Sequence, residues 1–556
     1  MKMATVTFEL KDFWSSGFDA KSTVSLFEKI GVEVESVDDT SIMINVNPNR
    51  PDLLDFNGIL RAFRNFVGKK VPSELAYNID KTPLTEVIVS KNVKQIRPFI
   101  GALIAKNVDL TGNKLKYLIN FTEKFCDTFG RRRRKLAIGI HDLSKIDGSV
   151  IYDADLEGKI TPLNKKSEMR FDQVMESLQK GQEYADTVKR KGKTGKPIYP
   201  YIKDSEKVLA LIPITNCEET RVTESTTDIF IDMTGTSLNT ISQAANLLAC
   251  SLIDSGAEVF PVRIDYGKRS VVYPELEFSQ MRVTASVIER TLGVIMGKSD
   301  MIAFGNKMGY PAAQYGNSVL FYTPPYRVDV LSDRDIVEDV AIAFGYDNIS
   351  PLPVAGTSLG LPEEVSEQQN ELSRFLIGLG YSEAMNTFLT NEEVEFARMS
   401  RKADESTLIR VSESKTSAYT TLRSSLIPGL MGNLAASTGQ KMPIRLFEIG
   451  HVFRLKDMRI VEGVHMAAVS EHAKANFAEM RSVIDELIGY AGLSGAAVKA
   501  HTDPAFIEGR CAAIMDGNDV IGVFGEIHPK TLLSFGIDEP VVALEFAVIK
   551  EIKYKA

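Results

Sequence analysis

The most informative pattern of the 556-residue chain is PPYRVD at 324–329, followed by DIVEDVA at 335–341. Ser332 lies between these two strings and Asp335 begins the second, which gives the Ser-x-x-Asp spacing of a capping box. In such a box, two side chains satisfy the free N–H groups of a first helical turn, so the spacing predicts that a helix begins here. The stretch therefore predicts a small helix-containing domain.

Four carboxylates cluster in this stretch. Residues at positions i, i+3 and i+4 of a helix share a face, so Asp335, Glu338 and Asp339 converge, with Asp329 just before the helix. Left unpaired, these side chains would repel one another. The residues alone leave two interpretations open: helix capping plus a solvated acidic face, or a site for a hard cation such as Mg²⁺.

On either side of this stretch, Pro-containing breaks divide the chain. Tyr273–Leu276 has the composition of a linker, and Ile349–Pro353 closes the segment. Upstream, between about 90 and 265, apolar strands alternate with charged helices and loops. Downstream, a helix at about Glu363–Leu379 precedes a strand-rich tail, which predicts an antiparallel sheet backed by helices. Because single cores stop growing at about 250–300 residues, we expect a multidomain α+β protein.

Charge and cysteine content exclude several classes of protein. The formal net charge of −8 argues against a global positive field, so RNA contact would need local basic patches. Two exist, Arg131–Lys135 and Lys189–Lys196, although each also fits a solvated charge run. The four cysteines lack C-x-x-C spacing, which favours neither zinc nor disulfides and fits a reducing cytoplasm. No apolar run approaches the roughly 18 residues that cross a bilayer.

Four motifs, taken in order, resemble the β subunits of phenylalanyl-tRNA synthetases of the archaeal and eukaryotic type. They are NRPDLL at 49–54 with Gly58 and Arg61; GIHDL at 139–143; the 324–341 stretch with GYD at 345–347; and LR at 422–423, PGL at 428–430, LFEIG at 446–450 and GEIHP at 525–529. The resemblance implies four domains: a small N-terminal (B1-like) domain at 1–88, a mixed α+β tRNA-editing (B3/B4-like) domain at 89–270, a B5 domain at 271–355 and a catalytically silent class II synthetase-like (B6/B7) domain at 356–556.

The resemblance also implies partners and a cofactor. A β subunit of this kind would join an α subunit in a cytoplasmic (αβ)2 heterotetramer that binds ATP, phenylalanine and tRNA(Phe). It would support ATP-dependent attachment of phenylalanine and would hydrolyse tyrosine wrongly attached to the same tRNA. Asp329, Asp335, Glu338 and Asp339 correspond to the Mg²⁺ ligands of the B5 motif, near the junction with the α subunit.

His141, Asn216 and Asp232 are the candidates for the editing site. Asn216 and Asp232, with Thr223 and Thr234, lie at predicted strand ends, where polar groups can converge on a cleft. The alternative is structural, because a lone histidine is more often a core residue and strand-end polar groups also serve turns and caps. His141 and its neighbour Asp142 should face apart as they leave a strand, which argues against an acid/base pair.

The tail carries a string similar to the second motif of class II synthetases, RLFE at 445–448. Side chains on a strand alternate between faces, so Arg445 and Glu448, three apart, should point to opposite sides and cannot jointly hold ATP. A Gly-rich third motif ending in Arg is also missing. We therefore expect no aminoacylation site in this chain.

Two other functions remain open: a stand-alone tRNA-editing hydrolase and a non-enzymatic tRNA-binding protein. The first would need only the segment near 90–265. The second explains neither the carboxylates of the B5-like stretch nor the long synthetase-like tail. An untagged partner subunit that co-purifies with phenylalanine-charging activity would separate both from a synthetase subunit.

Overall fold

The computed structural model describes residues 4–69, 77–188, 197–351, 353, 354, 356, 359–437, 439–490 and 495–549. The basic stretch Lys189–Lys196 lies outside the described residues. The chain forms two compact units, Met1–Pro353 and Val354–Ala556. Both contain helices and sheets, so the expectation of a multidomain α+β protein is confirmed. Within the described ranges, no helix is long and apolar enough to cross a membrane.

A three-stranded antiparallel sheet in the order β1-β3-β2 begins the first unit. Its elements are β1 (Ala4–Glu9), α1 (Leu10–Ser15), α2 (Ala20–Lys29), β2 (Glu33–Val37), β3 (Ser41–Val46) and α3 (Phe56–Phe66). The sequence pattern predicts that α3 starts at Leu54. It starts at Phe56 instead, because the Asp55 side chain accepts the Gly58 N–H as an N-cap.

A ten-stranded sheet forms the largest part of the first unit. Its region contains β4 (Thr85–Val89), β5 (Phe99–Lys106), α4 (Lys114–Asp127), β6 (Leu136–Asp142), β7 (Val150–Asp155), β8 (Lys159–Ile160), β9 (Met169–Arg170), α5 (Phe171–Ser177), α6 (Gln179–Glu183), α7 (Ala185–Val188), β10 (Tyr199–Lys203), β11 (Val208–Leu211), β12 (Thr215–Asn216), β13 (Ile229–Gly235), α8 (Leu238–Asp254), β14 (Glu258–Asp265) and β15 (Ser270–Tyr273). The order is β12-β11-β10-β7-β4-β14-β5-β13-β6, with β15 beside β14 and with β8 and β9 paired separately. The sheet thus includes β4, which begins at Thr85, before the expected boundary at 89.

The two edge strands of this sheet approach each other. Asn216 on β12 donates its Nδ2–H to the carbonyl oxygen of Ile140 on β6 at 3.1 Å. The sheet therefore curls until its first and last strands meet, and the edges that would otherwise invite aggregation are covered. We call the line where β12 faces β6 the seam.

A second three-stranded sheet, in the order β16-β18-β17, ends the first unit. Its elements are β16 (Ser279–Thr284), α9 (Ala285–Leu292), α10 (Lys298–Lys307), β17 (Ala312–Tyr315), β18 (Ser318–Thr323) and α11 (Asp333–Phe344). Ser332 is the N-cap of α11, and the Asp335 carboxylate accepts its N–H at 2.6 Å. The helix start predicted from the capping box is confirmed.

The second unit is a seven-stranded sheet with helices on both faces. Its elements are α12 (Glu364–Gly378), β19 (Ser382–Glu383), β20 (Leu389–Thr390), β21 (Thr421–Leu422), α13 (Ile427–Ala436), β22 (Ile444–Lys456), β23 (Arg459–Glu471), α14 (Phe477–Tyr490), β24 (Ala497–Ala500), β25 (Phe506–Asp516), β26 (Asp519–Ile527), α15 (Pro529–Phe535) and β27 (Val541–Ile549). The order is β19-β22-β23-β27-β26-β25-β24, and every pair but β19–β22 is antiparallel. Helices α12 and α14 pack on one face, and α13 and α15 on the other.

Candidate functional site

A cleft of about 300 Å³ opens at the seam of the ten-stranded sheet. Its walls come from residues 137–139 of β6, from 211–216 around β11 and β12, and from 178–180 at the start of α6. This volume is at the lower end of the range for pockets that bind small ligands. The cleft is large enough for one amino-acid side chain and its linkage.

His141 and Asp232 lie together behind this cleft, on the neighbouring strands β6 and β13. Both side chains are fully buried, and His141 Nε2 lies 3.2 Å from Asp232 Oδ2. The other ring nitrogen, Nδ1, lies 2.7 Å from the hydroxyl oxygen of Thr220. Hydrogen bonds at both nitrogens fix the ring orientation, and the contact with Asp232 holds that carboxylate in place.

Gly139 brings the Asp232 carboxylate to the cleft. Gly139 lines the cleft and is paired with Asp232 across the two strands. A Cβ atom at position 139 would lie 2.1 Å from Asp232 Oδ2 and 3.1 Å from Asn216 Oδ1. The missing side chain therefore makes the space that the carboxylate and the amide share.

One oxygen of Asp232 is left without a partner. Oδ1 is buried and accepts no hydrogen bond from the described part of the chain. An unsatisfied buried acceptor costs about 1–3 kcal/mol, and native proteins keep few of them. A ligand hydroxyl would satisfy this oxygen.

The other sequence candidates separate into two groups. Asn216 lines the cleft, and Thr234 is buried with its Oγ1 accepting the Arg97 Nε–H at 3.1 Å. Within the described ranges, Thr223 bonds only its near neighbours Ser225 and Thr226, which agrees with the turn interpretation for that residue.

Cys217 and Asp142 are not among the described residues that line the cleft. Burial raises the pKa of the Cys217 thiol, so this thiol is a poor nucleophile. Burial alone would raise the pKa of Asp142, but hydrogen bonds from Ser144 and Thr226 outweigh it and the pKa lies below its ordinary value. Asp142 accepts those bonds while His141 bonds Thr220 and Asp232, so the two neighbours serve different sites, as predicted.

The four carboxylates of the B5-like stretch also line one cleft, of about 80 Å³. Across it stand Asn49 and Arg50 of the N-terminal motif, with Asn47 just before them. The N-terminal motif and the B5-like stretch, about 270 residues apart, therefore meet at one place.

Arg327 occupies the inner side of this cleft, a role that the sequence reasoning missed although the residue stands in the quoted motif. Its Nε and Nη2 groups donate to both oxygens of Asp329 at 2.9 and 2.7 Å, and Nη2 also donates to Asp339 at 2.6 Å. Tyr310 donates its hydroxyl to the same Asp339 oxygen. Asp329 and Asp339 are thus held by a buried guanidinium.

The carboxylates fit Mg²⁺ in chemistry and in charge. Asp335 caps α11 through one oxygen, and the exposed Glu338 makes no bond among the described residues. Arg50 is already paired with Asp52, so Arg327 alone cannot neutralise four carboxylates. Among the described ranges, no three Asp, Glu, His or Cys side chains stand close enough to bind a metal directly. A metal ion here would therefore have few direct carboxylate ligands and would need to keep several waters, as Mg²⁺ can.

The rest of the N-terminal motif forms a buried junction. Arg61 ion-pairs with Asp254 of α8 and stacks 3.6 Å from the ring centre of Tyr326. A Cβ atom on Gly58 would lie 1.9 Å from the Asp52 carbonyl oxygen. Gly58 and Arg61 thus join three segments of the first unit, and their role is structural.

In the second unit, Arg445 and Glu448 lie on opposite faces of β22. Arg445 reaches Glu479 of α14 at 3.4 Å, whereas the buried Glu448 pairs with Arg423 at 2.5 Å and accepts the Asn386 amide at 2.7 Å. The two side chains cannot grip one nucleotide together. The geometry agrees with the prediction that these two side chains point to opposite sides of the strand.

Three family models match this arrangement of domains. The B3/4 domain covers residues 86–252, the tRNA synthetase B5 domain covers 281–346, and the phenylalanyl tRNA synthetase beta chain CLM domain covers 350–548. Together they define a subunit of an aminoacyl-tRNA synthetase.

Full-length relatives narrow the class. The chain is 34% identical over 532 residues to the phenylalanine–tRNA ligase beta subunit of Archaeoglobus fulgidus, covering 95% of each protein. It is 32% identical to the subunit of the same name from Methanocella arvoryzae, covering 98% of this chain and 99% of that one. A crystal structure of an N-terminal fragment of the phenylalanyl-tRNA synthetase β subunit from Pyrococcus horikoshii matches 62% of this chain and all of its own, with a TM-score of 0.58 and 29% identity. The chain belongs to the phenylalanine–tRNA ligase β-subunit family.

Proposed function

We propose that this chain joins an α subunit, which carries the aminoacylation site, in a cytoplasmic (αβ)2 heterotetramer. The complex binds ATP, phenylalanine and tRNA(Phe) and attaches the amino acid to the tRNA. The opposite orientation of Arg445 and Glu448 supports placing the aminoacylation site in the partner. In this proposal the chain has four domains, at 1–88, 89–270, 271–355 and 356–556.

An exposed apolar surface in the second unit supports the partnership. Ile377, Leu379, Met385, Phe388 and Leu389 lie close in sequence and expose between 38% and 93% of their surface. Clustered exposed apolar side chains mark interaction sites. We assign this surface to the α subunit.

Pyrophosphate exchange tests whether the aminoacylation site lies in the α subunit and not in this chain. The isolated chain is expected to form no phenylalanyl-adenylate, whereas the chain assembled with its partner supports phenylalanine-dependent exchange and charging of tRNA(Phe). Adenylate formation by the isolated chain would disprove the proposal. Hydrolysis of mischarged tRNA without any assembly would favour the stand-alone hydrolase instead.

We further propose that the seam cleft hydrolyses tyrosine wrongly attached to tRNA(Phe). The proposal rests on two observations: Oδ1 of Asp232 has no partner among the described residues, and the same carboxylate lies against Gly139 in the wall of a cleft of amino-acid size. The phenolic hydroxyl of tyrosine donates to this oxygen, assisted by Asn216. Phenylalanine has no hydroxyl and leaves the acceptor unsatisfied, and sites that bind a substrate hydroxyl reject its absence by about 10⁴–10⁵-fold.

The hydrolysis needs no covalent nucleophile. The ester that links an amino acid to tRNA is activated, so a positioned water and donors for the developing oxyanion suffice. His141 is not free to act as a base, because both ring nitrogens are engaged. Its contribution is to orient the carboxylate that selects tyrosine.

Combined substitution tests this assignment. H141A, N216A and D232A together, in the assembled enzyme, are expected to abolish deacylation of Tyr-tRNA(Phe) and to leave phenylalanine charging unchanged. Deacylation at the wild-type rate would show that the site lies elsewhere.

We also propose that Asp329, Asp335, Glu338 and Asp339 hold one Mg²⁺. The net negative charge of the cleft and the unengaged Glu338 support it. When bound, the ion offsets the repulsion between the carboxylates and stiffens the domain near the contact with the α subunit. It does not activate ATP.

Paired variants test the ion. D335N/E338Q is expected to lower the Mg²⁺ content of the complex and to weaken its assembly. D333N/D347N removes the same charge from the same domain at positions outside the proposed ligand set and serves as the control. Equal metal content in wild type and D335N/E338Q would refute the site.

A further inference from the structure

The turn that enters β6 has an unusual backbone. Arg131, Arg132 and Arg133 have φ angles of 50°, 52° and 60°. The left-handed region is unfavourable for residues with a side chain, and single residues rather than runs occupy it. A strained backbone persists only where the surrounding structure holds it in place, and such residues are concentrated at functional sites.

Two buried arginines fix this turn. Arg97 donates from Nη1 to the carbonyl oxygens of Arg133 at 2.9 Å and Arg134 at 3.4 Å. Arg133 itself pairs with Glu123 and donates to the Pro213 carbonyl at 3.1 Å. The turn is thereby held in the wall of the seam cleft, which Arg133 lines.

The conformation of the turn buries one of its four arginines and leaves the other three exposed. Arg133 is 6% exposed, and its Nε has no hydrogen-bond partner in the described ranges. Arg131, Arg132 and Arg134 are exposed, and among the residues that the structure describes only Arg132 of these three reaches an acid, Glu183 at 3.4 Å. The turn thus places one buried guanidinium, paired with Glu123, in the cleft wall and three exposed guanidiniums next to it in sequence.

We propose that the turn Arg131–Lys135 binds the phosphates of the tRNA 3′-terminal strand and guides the mischarged end into the cleft. The inference rests on the proposed editing activity and names how its substrate is held. A chain of net charge −8 has no global attraction for RNA, so local cations must supply it. Guanidinium groups suit this task, because their planar fork matches two phosphate oxygens. Arg133 meets the innermost phosphate, and the exposed arginines meet those that follow.

The test uses two triple variants of the full-length chain assembled with its partner. R131A/R132A/R134A removes the exposed charges and leaves the buried anchors intact. K91A/K94A/K268A removes the same charge from exposed positions of the same domain that do not line the cleft. Two readouts are taken over a salt series: the kcat and KM for Tyr-tRNA(Phe) deacylation, and the binding of a fluorescent RNA with the sequence of the tRNA 3′ terminus.

The arginine variant is expected to raise KM and the RNA Kd about tenfold or more, with kcat changed less than about twofold. The slope of log Kd against log salt concentration should fall by about two, because each of the three lost phosphate contacts to a single strand contributes roughly 0.7 to that slope. The lysine variant should match wild type. The proposal would be overturned if the arginine variant had the same KM and RNA Kd as wild type. It would also be overturned if both variants raised these two constants equally. Failure of the wild-type enzyme to deacylate would instead reject the editing function, and the RNA binding would still decide this inference.

Discussion

Gly139 is the residue that most sharply constrains the seam cleft, because the Asp232 carboxylate lies where its side chain would stand. We expect G139A to displace both Asp232 and Asn216. Misplacing a substrate-contacting group by about 1 Å can cost about 10²-fold in rate. Deacylation of Tyr-tRNA(Phe) should therefore fall by that order, while phenylalanine charging stays normal.

G432A is the matched control for this substitution, since a Cβ atom there meets nothing within 4 Å. Both variants should fold, with an overpacking penalty of about 1–3 kcal/mol for G139A alone. Wild-type editing by G139A would show that Asp232 does not need its present position.

Sequence reasoning found part of this site. His141 could be proposed from the GIHDL motif, and Asn216 and Asp232 because polar groups near predicted strand ends can converge on a cleft, although Asp232 lies in the middle of β13. Thr220 and Gly139 could not, because their roles depend on the pairing of β6 with β13 and on the seam, both long-range contacts. Arg327 is part of the PPYRVD motif, but only the fold shows that it binds two of the four carboxylates.

At the scale of elements, Arg327 ties α11 to the segment before it. Removing one partner of a buried ion pair typically costs about 3–5 kcal/mol, because the remaining charges stay buried. R327A should lower the free energy of unfolding by this amount, measured in urea, with R327K intermediate because lysine cannot form the two-pronged contact.

R334A is the control on the same helix, since Arg334 is exposed and surface substitutions usually change stability by less than about 0.5 kcal/mol. An R327A protein as stable as R334A would contradict the structural role of the guanidinium.

A second element-scale feature is the π-helical segment Glu393–Ala397, which buries Glu395. Burial raises the pKa of Glu395 from 4.5 to about 7, although hydrogen bonds from Ser424 oppose the shift. A carboxyl whose folded pKa is raised stabilises the fold below its unfolded pKa and loses that contribution as pH rises to the folded value. Stability should therefore fall between pH 4.5 and 7, by at most about 3 kcal/mol.

E395Q should remove this slope, because glutamine keeps the accepting oxygen but cannot ionise. Thermal unfolding at pH 5 and pH 8 measures the difference, with E393Q as the exposed control from the same segment. A slope that survives in E395Q would assign it to another group. The pKa of Glu545 is lowered to about 2, because the raising effect of burial is outweighed by the hydrogen bond and charge of His465. Glu545 therefore contributes only in stronger acid.

Element boundaries show where sequence patterns fail. The helix at about Glu363–Leu379 was predictable and is found at Glu364–Gly378. The apolar pattern predicts a strand only at 465–469, whereas β23 begins at Arg459 and ends at Glu471. Asp457 and Met458 form a two-residue turn with positive φ angles of 49° and 61°, which extends the hairpin. Neither residue is the glycine or asparagine that signals such a turn.

At the scale of the whole molecule, the α+β class and the order of motifs followed from the sequence. The ten-stranded sheet did not. Its strand β4 pairs in parallel with both β14 and β7, contacts between distant segments that no local pattern encodes. The seam, and with it the cleft, results from that topology.

The discrimination between tyrosine and phenylalanine tests the central claim most directly. Deacylation of Tyr-tRNA(Phe) and Phe-tRNA(Phe) should be timed with the assembled enzyme, as wild type, as D232A, and as D155A, which removes an exposed carboxylate from the same domain. We predict that wild type and D155A hydrolyse the tyrosine ester at least about 100-fold faster than the phenylalanine ester, and that D232A reduces this ratio at least about tenfold. An unchanged ratio in D232A, or a wild-type enzyme that does not distinguish the two esters, would contradict a site in which the buried carboxylate recognises the tyrosine hydroxyl.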